Sequence, residues 1–184
     1  VLMAMGCNFG DLDNDGFLDC YIGTGEPDLR ALVPNRMFRN NRGEFFQDVT
    51  TSGGFGHLQK GHGVAFGDID NDGDQDIYAV MGGAYSGDRF QNVLFENPGN
   101  DNHWITLRLQ GKSSNRFGIG ARIRICVVQD NQRRDIHYRV DTGGSFGSSS
   151  LQREIGLGHA EPIDIIEITC PSSDHKQIVR KVGM

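Results

Sequence analysis

The apolar residues of this chain fall in short runs that glycine and polar turn residues interrupt. Residues 20–22 and 77–80 form two such runs, which are rich in aromatic and β-branched side chains and are followed by glycine. Runs of this length and composition predict β-strands rather than helices. Later in the chain, residues 104–109 and 122–125 alternate apolar and polar positions. This alternation predicts strands that bury one face.

The chain repeats itself at a shift of 57 residues. At this shift the following pairs align: Phe9 with Phe66, Tyr21 with Tyr78, and the Asn-x-apolar-Phe-x-Asn segment 35–40 with 92–97. A period of this length, with several strands in each unit, is typical of propeller-like repeats. The repeat predicts a first unit over residues 1–57 and a second over residues 58–100.

Each unit is predicted to form one small antiparallel sheet. The predicted strands are residues 5–9, 20–22, 35–40 and 45–50 in the first unit, and 63–66, 77–80 and 92–97 in the second. A single unit of this kind cannot bury both faces of its sheet, so it needs neighbours.

A cluster of asparagine, proline and glycine at residues 97–102 ends the repeat and predicts a domain boundary. We predict a separate domain over residues 101–184. Its predicted strands are 104–109, 121–128, 136–140 and 163–169, with glycine-rich links at 118–120 and 143–147. This pattern predicts an antiparallel β-sandwich or barrel.

Composition supports an all-β chain. Glycine supplies 26 of 184 residues, about twice its usual share, whereas proline supplies 5. The sequence contains no stretch of 18 apolar residues, so we predict no membrane span. The net charge of −6 and the lack of lysine or arginine runs argue against a nucleic-acid partner.

Acidic residues concentrate in two nine-residue segments, 11–19 and 68–76, which share the pattern D-x-D-N-D-G-x-x-D. Carboxylates this close together repel one another, so the pattern indicates a hard cation with oxygen ligands. The glycine at position six permits the sharp turn that gathers them. We predict two Ca²⁺ sites, with these ligands: Asp11, Asp13, Asp15, the carbonyl of Phe17 and Asp19 in the first; Asp68, Asp70, Asp72, the carbonyl of Asp74 and Asp76 in the second.

Two other interpretations of these segments exist. An EF-hand loop starts in the same way but has a bidentate glutamate at position 12, where this chain has Ile22 and Ala79. A strand rather than a helix is also predicted after each segment, which excludes an EF-hand. The second alternative is a solvated acidic turn that holds no ion.

The four cysteines are Cys7, Cys20, Cys126 and Cys170, and none of them forms a C-x-x-C pair. A zinc site is therefore not expected. Cys7 and Cys20 flank the first acidic segment and are candidates for a disulfide in an oxidising compartment. Four buried thiols are the equally valid alternative.

Two groups of motifs resemble known families. Phe9-Gly10 and Phe66-Gly67, each followed directly by an acidic segment, resemble FG-GAP repeats, which are also called VCBS repeats. The tail resembles the ASPIC/UnbV domain through the ordered strings NHWITLRLQGKSSNRFGIGARIRI, GGSFGSSS, IGLGHAEPIDIIEI and CPSS. Together the two resemblances cover almost the whole chain, and the combination is similar to that of cartilage acidic proteins and their bacterial relatives.

The resemblance implies an all-β fold: a partial calcium-binding β-propeller of two FG-GAP-type blades, of the integrin-α-like type, and a C-terminal antiparallel β domain. Such propellers close with about seven blades. We therefore expect further blades upstream of Val1. Cys170 stands where the ASPIC/UnbV family usually has tryptophan, which affects the local packing expected there.

These features predict a non-enzymatic interaction or adhesion module in which Ca²⁺ acts as a structural staple. The expected location is extracellular, at the cell surface or periplasmic, where calcium is abundant. The expected partner is a protein or a glycan. If the 184 residues are the whole chain, we also expect an oligomer or larger complex, because open sheet edges invite association.

An enzyme is the alternative from another class, since propellers also house hydrolases and lyases. The candidate acid–base groups are His57, Lys60 and His62, in a glycine-bounded segment before the second acidic loop. The other interpretation of this segment is a loop whose histidines hydrogen-bond the backbone. Residues 147–150 lack the closing glycine of a G-x-S-x-G nucleophile motif. A structural subunit of an extracellular assembly is a third alternative.

Overall fold

The computed structural model describes residues 3–25, 28, 30–83, 85–112, 114–160, 162–171 and 175–182. These residues form fourteen strands and no helix, which confirms the predicted all-β fold. In chain order the strands are β1 (Ala4–Gly10), β2 (Asp19–Thr24), β3 (Arg36–Asn41), β4 (Phe45–Asp48), β5 (Gly61–Gly67), β6 (Asp76–Met81), β7 (Val93–Phe95), β8 (His103–Leu107), β9 (Arg122–Gln129), β10 (Gln132–Arg139), β11 (Ser148–Ser149), β12 (Arg153–Gly158), β13 (Ile163–Thr169) and β14 (Lys176–Val182). Over the same residues, no helix is long and apolar enough to cross a membrane.

The chain divides into two compact units. Unit 1 consists of Val1–Leu12, Phe17–Gly99 and Gly143–Ser150, and unit 2 consists of Asp13–Gly16, Asn100–Thr142 and Leu151–Met184. Both units combine segments that are distant along the chain. The domain boundaries predicted at residues 57 and 100 therefore remain predictions.

Unit 1 contains two four-stranded sheets. The first is an antiparallel meander in the order β1-β2-β3-β4, and it includes the predicted fourth strand. The second has the order β11-β5-β6-β7. Strands β5, β6 and β7 are antiparallel, whereas β11 runs parallel to β5 through the pairs Ser148–Ala65 and Ser149–Phe66. The glycine-rich segment 143–147, predicted as a link within the tail, leads into this edge strand.

The core of unit 1 lies between its two sheets. Its buried side chains are Tyr21, Met37, Val64, Phe66, Ile77, Ala79 and Met81. The ring of Tyr21 packs 5.8 Å from that of Phe95 and 6.4 Å from that of Phe55, measured between centroids. Aromatic pairs at these distances add to the stabilisation that burial of their surface provides.

Unit 2 contains an antiparallel sheet in the order β10-β9-β13-β14 and a two-stranded pair of β12 with β8. Strand β13 has the predicted bounds, and β8, β9 and β10 overlap their predicted segments. Strand β12 was not predicted because all six of its residues are buried and no alternation marks it. The buried core of the unit is formed by Ala121, Ile123, Ile125, Val127, Ile136, Val140, Ile155, Leu157, Ala160, Ile163 and Ile166.

Candidate metal centre

Each acidic loop brings three carboxylates together. In the first loop, one oxygen each of Asp11, Asp13 and Asp15 lies within 4.8 Å of the others. Asp68, Asp70 and Asp72 form the equivalent triad of the second loop within the same limit. Asp11 is buried, whereas Asp70 and Asp72 are exposed. The two triads therefore meet the same distance limit in different solvent environments.

The backbone explains why the sequence gathers these side chains. Asn14 and Gly16 have φ angles of 53° and 89°, and Asn71 and Gly73 have angles of 64° and 95°. Left-handed backbone of this kind is tolerated by asparagine and favoured by glycine. The turn predicted at position six is thus formed in both loops, with a second left-handed residue at position four.

The ninth-position carboxylates have a different environment from the triads. Asp19 accepts hydrogen bonds from the backbone N–H of Leu12 at 3.0 Å and of Asn40 at 2.8 Å. Asp76 accepts the equivalent bonds from Ile69 at 3.0 Å and Asn97 at 2.8 Å. These two aspartates, predicted as metal ligands, lie outside the groups of three and connect the start of each loop to the end of the third strand.

Sequence reasoning aligned the Asn-x-apolar-Phe-x-Asn segments but gave their asparagines no role. The side-chain Nδ2 of Asn40 donates to the carbonyl of Leu18, and that of Asn97 donates to the carbonyl of Gln75. The first asparagine of each segment accepts from the end of the second strand: Thr24 N–H donates to Asn35 Oδ1 and Met81 N–H to Asn92 Oδ1. The signal was the recurrence of both asparagines at the 57-residue shift.

Two bonds within unit 1 join the second repeat to the start of the first loop. The side chain of Gln75 accepts a bond from the Asp11 N–H at 2.9 Å, and Asn97 Nδ2 donates to the carbonyl of Leu12 at 2.8 Å. The second repeat thereby fixes the backbone that presents the buried carboxylate of Asp11.

Within unit 2, three bonds hold the tip of the first loop. Asn102 Nδ2 donates to the carbonyl of Asp13 at 2.7 Å, Gly158 N–H donates to that of Asn14 at 2.8 Å, and Arg134 Nη1 donates to that of Asp15 at 2.6 Å. Asn14 is fully buried. The backbone of the tip is therefore fixed by groups that do not belong to the loop.

The donor set fits a hard divalent cation. Both triads offer oxygen atoms alone, without histidine or cysteine, which favours Ca²⁺ or Mg²⁺ over a transition metal. Two unit charges at the 4.8 Å limit of these triads repel by about 3 kcal/mol at an effective dielectric constant near 20, and by less where water screens them, as at the exposed Asp70 and Asp72. A bound cation would relieve this repulsion. The carbonyl oxygens of Phe17 and Asp74 stay predicted ligands.

Comparison with protein families gives two matches. Residues 11–79 match the model of the FG-GAP-like repeat, and residues 111–184 match the model of the ASPIC and UnbV family. The chain carries an FG-GAP-like repeat followed by an ASPIC and UnbV domain. The resemblance predicted from the sequence is confirmed, as is an all-β fold of a partial propeller with a C-terminal β domain. A comparison with curated proteins finds no match.

These families place the two loops in context. FG-GAP-like repeats are typical of extracellular or surface proteins, often bind Ca²⁺ and typically mediate protein interactions. The acidic loops of this FG-GAP-like repeat lie within the matched region, and their Asp clusters have a geometry that could hold a metal ion.

The segment with His57, Lys60 and His62 also lies in the FG-GAP-like repeat. His57 Nδ1 accepts a bond from the backbone N–H of Gln59 at 3.1 Å, and the imidazole packs edge-on against Phe90 with 5.4 Å between centroids. Lys60 is buried, and its ammonium donates to the carbonyl of Ala31 at 2.9 Å. The contacts of His57 and Lys60 agree with the structural interpretation of this segment, whereas the buried Nε2 atom of His62 has no hydrogen-bond partner among the described residues.

The cysteines beside the first loop of the FG-GAP-like repeat are free thiols. The Sγ atoms of Cys7 and Cys20 lie 3.4 Å apart, within hydrogen-bonding distance for sulfur. Burial, reinforced by the neighbouring Cys7 thiol, raises the pKa of Cys20 to about 12. The thiolate is the nucleophilic form, so Cys20 is unreactive at neutral pH.

Proposed function

We propose that this chain is a Ca²⁺-binding interaction module in which two ions staple the blade loops of an extracellular, cell-surface or periplasmic protein. The observation that carries the proposal is the pair of carboxylate triads at equivalent places in the two repeats. Each triad is gathered by the same pair of left-handed residues and stands beside the same hydrogen-bonded ninth aspartate. An acidic turn without a ligand has no need to repeat this arrangement.

The carboxylate triads fit calcium better than magnesium. Ca²⁺ accepts six to eight oxygens in flexible geometry, whereas Mg²⁺ requires a near-ideal octahedron and retains several waters. Three carboxylates, the position-seven carbonyl and water supply a calcium shell. In this proposal, the main role of Asp19 and Asp76 is to accept hydrogen bonds from the backbone. Each also supplies one further oxygen ligand to the calcium ion.

Two measurements test the proposal: calorimetric titration with Ca²⁺, which counts the bound ions, and thermal unfolding in Ca²⁺ and in chelator. The wild-type chain is expected to bind two Ca²⁺, Asp13→Asn and Asp70→Asn one each, and the double variant none. Ca²⁺ at 100 times its Kd stabilises the chain by about 2.7 kcal/mol per site, so the melting temperature rises. Asp130→Asn is the matched control, because it removes an exposed carboxylate from the β9–β10 turn. A wild-type melting curve that is the same in Ca²⁺ and in chelator would contradict the proposal.

The 57-residue shift also relates two buried side chains of unit 1 to two exposed ones. In the first sheet of unit 1, Tyr21 and Met37 pack against the second sheet and are 0% and 1% exposed. Their equivalents at a shift of 57, Tyr78 and Leu94, lie on the second sheet and are 40% and 46% exposed. The second sheet thus presents a face like the one that the first sheet buries.

The complementary face is also present. Phe66 of the second sheet packs into the core at 3% exposure, whereas its equivalent on the first sheet, Phe9, is 47% exposed. Unit 1 therefore has two open apolar faces that repeat the two sides of its own internal interface. We propose that they bind β-sheets of the same type, and that for the 184-residue chain by itself a second copy is such a partner, in a head-to-tail interface.

This proposal is non-enzymatic, in keeping with families that are in general not catalytic. The hydrogen bonds of His57 and Lys60 support a structural role for their segment rather than the hydrolase or lyase alternative. The open faces also fit the alternative of a subunit in an extracellular assembly, which differs only in the identity of the partner.

A further inference from the structure

The solvent-facing side of the large sheet in unit 2 has an unusual row of charges. Arg139 on β10 lies directly opposite Arg122 on β9, and the same row continues through Thr169 on β13 to Lys176 on β14. Like charges that face each other on neighbouring strands destabilise a sheet. This row therefore has a cost for folding that a bound anion would offset.

Most of the other charged residues on this face are paired. Arg124 contacts Asp135 at 2.9 Å, Arg133 contacts Asp164 at 2.8 Å, and Lys176 contacts Glu167 at 2.9 Å. Neither Arg122 nor Arg139 lies within ion-pair distance of a carboxylate among the residues that the structure describes. The guanidinium groups of these two arginines are thus available to a ligand.

A cleft of about 350 Å³ opens beside Arg122. Its charged and polar lining comes from Arg122, Arg124, His137, Glu167, Thr169 and Lys176. Together with Arg139, the cleft and its margin have four positive charges from arginine and lysine against two negative ones from Asp135 and Glu167. This excess of two stands out in a chain with a net charge of −6.

We propose that this row, from Arg139 to Lys176, binds a linear anionic polysaccharide through its sulfate or carboxylate groups. Guanidinium groups recognise oxyanions by paired hydrogen bonds, which a lysine alone cannot match. The row crosses three strand spacings, or about 14 Å, so it contacts several anionic groups of a polymer at once. Among the described residues that line the cleft, His137 is the one ring that could stack on a base, and none is phenylalanine, tyrosine or tryptophan, which favours a polysaccharide over single-stranded nucleic acid.

The proposal is independent of calcium binding and of the open faces of unit 1. Its test is calorimetric titration of the full chain with heparin, in chelator and at low salt. Wild-type protein is expected to bind heparin, not to bind neutral dextran, and to bind single-stranded DNA at least tenfold more weakly. Arg122→Gln with Arg139→Gln is expected to raise the Kd for heparin at least tenfold. Arg42→Gln with Arg89→Gln is the matched control, because it removes two exposed arginines from unit 1 and leaves the Kd within twofold.

A second measurement does not depend on the variant folding. In wild-type protein, the side-chain Nε–Hε resonances of Arg122 and Arg139 are expected to shift on addition of heparin, and to shift less with inorganic sulfate at the same sulfate concentration. Equal loss of affinity in both double variants would overturn the proposal, because it would indicate attraction by overall charge. Absence of heparin binding, unmoved arginine resonances or equal affinity for DNA would also overturn it.

Discussion

At the residue scale, each acidic loop contains two kinds of aspartate: three that gather into a triad, and a ninth-position aspartate that accepts hydrogen bonds from two backbone N–H groups. The pattern D-x-D-N-D-G-x-x-D is local, and glycine at position six permits the turn that the φ angles of Gly16 and Gly73 display. The role of the ninth aspartate depends on a backbone N–H 21 residues further along, at Asn40 or Asn97. No local pattern predicts a bond over that separation.

The two kinds of aspartate are expected to respond differently to removal of their charge. Asp76→Asn places an amide donor against the N–H groups of Ile69 or Asn97, so we expect the free energy of unfolding to fall by about 1–3 kcal/mol even in chelator. Asp70→Asn relieves repulsion in an exposed triad, so we expect no loss in chelator and a loss only in Ca²⁺. Urea unfolding of both variants, in Ca²⁺ and in chelator, measures these free energies of unfolding. Equal losses in chelator would contradict the distinction.

The raised pKa of Cys20 predicts how stability and thiol reactivity depend on pH. Its pKa is raised from 9.0 to about 12 in the folded chain, so folding favours the neutral thiol. This contribution to stability is complete below pH 9 and is lost as pH rises from 9 towards 12. We expect alkylation of native Cys20 to be slow at pH 9–10 and to rise only near pH 12. Site-resolved mass spectrometry measures the rate, and the same cysteine in urea-unfolded chain, titrating near pH 9, is the control. If alkylation of Cys20 had the same pH dependence in the native and the urea-unfolded chain, the raised pKa of Cys20 would be contradicted.

At the element scale, most strands with alternating or β-branched patterns were predicted, whereas β11, β12 and β14 were missed, although β14 contains Ile178 and Val179. Strand β12 is buried at every position, and β11 has two serines, so neither shows a period of two. Strand β10 starts at Gln132, before the predicted residue 136. Its polar start is stabilised by neighbours on other strands: Arg133 contacts Asp164, and Asp135 contacts Arg124.

Two phenylalanines at equivalent places in the repeat test the packing of the sheets. Phe66 on β5 is 3% exposed in the core of unit 1, and Phe9 on β1 is 47% exposed. We expect Phe66→Ala to lower the free energy of unfolding by about 3–5 kcal/mol. We expect Phe9→Ala in dilute solution to change it by less than about 1 kcal/mol. Chemical denaturation at micromolar protein concentration compares them, and similar losses would contradict the assigned difference in burial.

At the scale of the whole molecule, the repeat could be predicted from the sequence. Which segments of the chain make up each compact unit could not. Residues 143–150 read as part of the tail, yet they belong to unit 1, where β11 pairs with β5. Three glycines permit this contact: a Cβ at Gly144 would lie 2.0 Å from the carbonyl oxygen of Cys7, and one at Gly147 would lie 1.9 Å from that of Val64, while Gly143 has a φ of 111°. Glycine-rich segments have no side-chain pattern that reveals their neighbours.

The two open faces of unit 1 predict how copies of the chain associate. If the face with Phe9 on one copy binds the face with Leu94 on another, the contact is heterologous and the two sides are separable by mutation. Phe9→Lys blocks one side and Leu94→Lys the other. We therefore expect wild-type protein to associate as its concentration rises and each variant alone to stay at the 20.3 kDa of one chain.

A mixture of the two variants separates this geometry from general stickiness. The Phe9→Lys chain keeps an intact Leu94 face, and the Leu94→Lys chain keeps an intact Phe9 face, so one productive contact remains in the mixture. We expect mixing to form dimers that grow no further, measured by light scattering coupled to size-exclusion chromatography. Leu58→Lys, at an exposed position outside the strands of both sheets, is the control and should associate like wild type. Because a symmetric interface would not be restored by mixing, mixed variants that stay monomeric would contradict head-to-tail contact, as would a wild-type chain that is monomeric at every concentration.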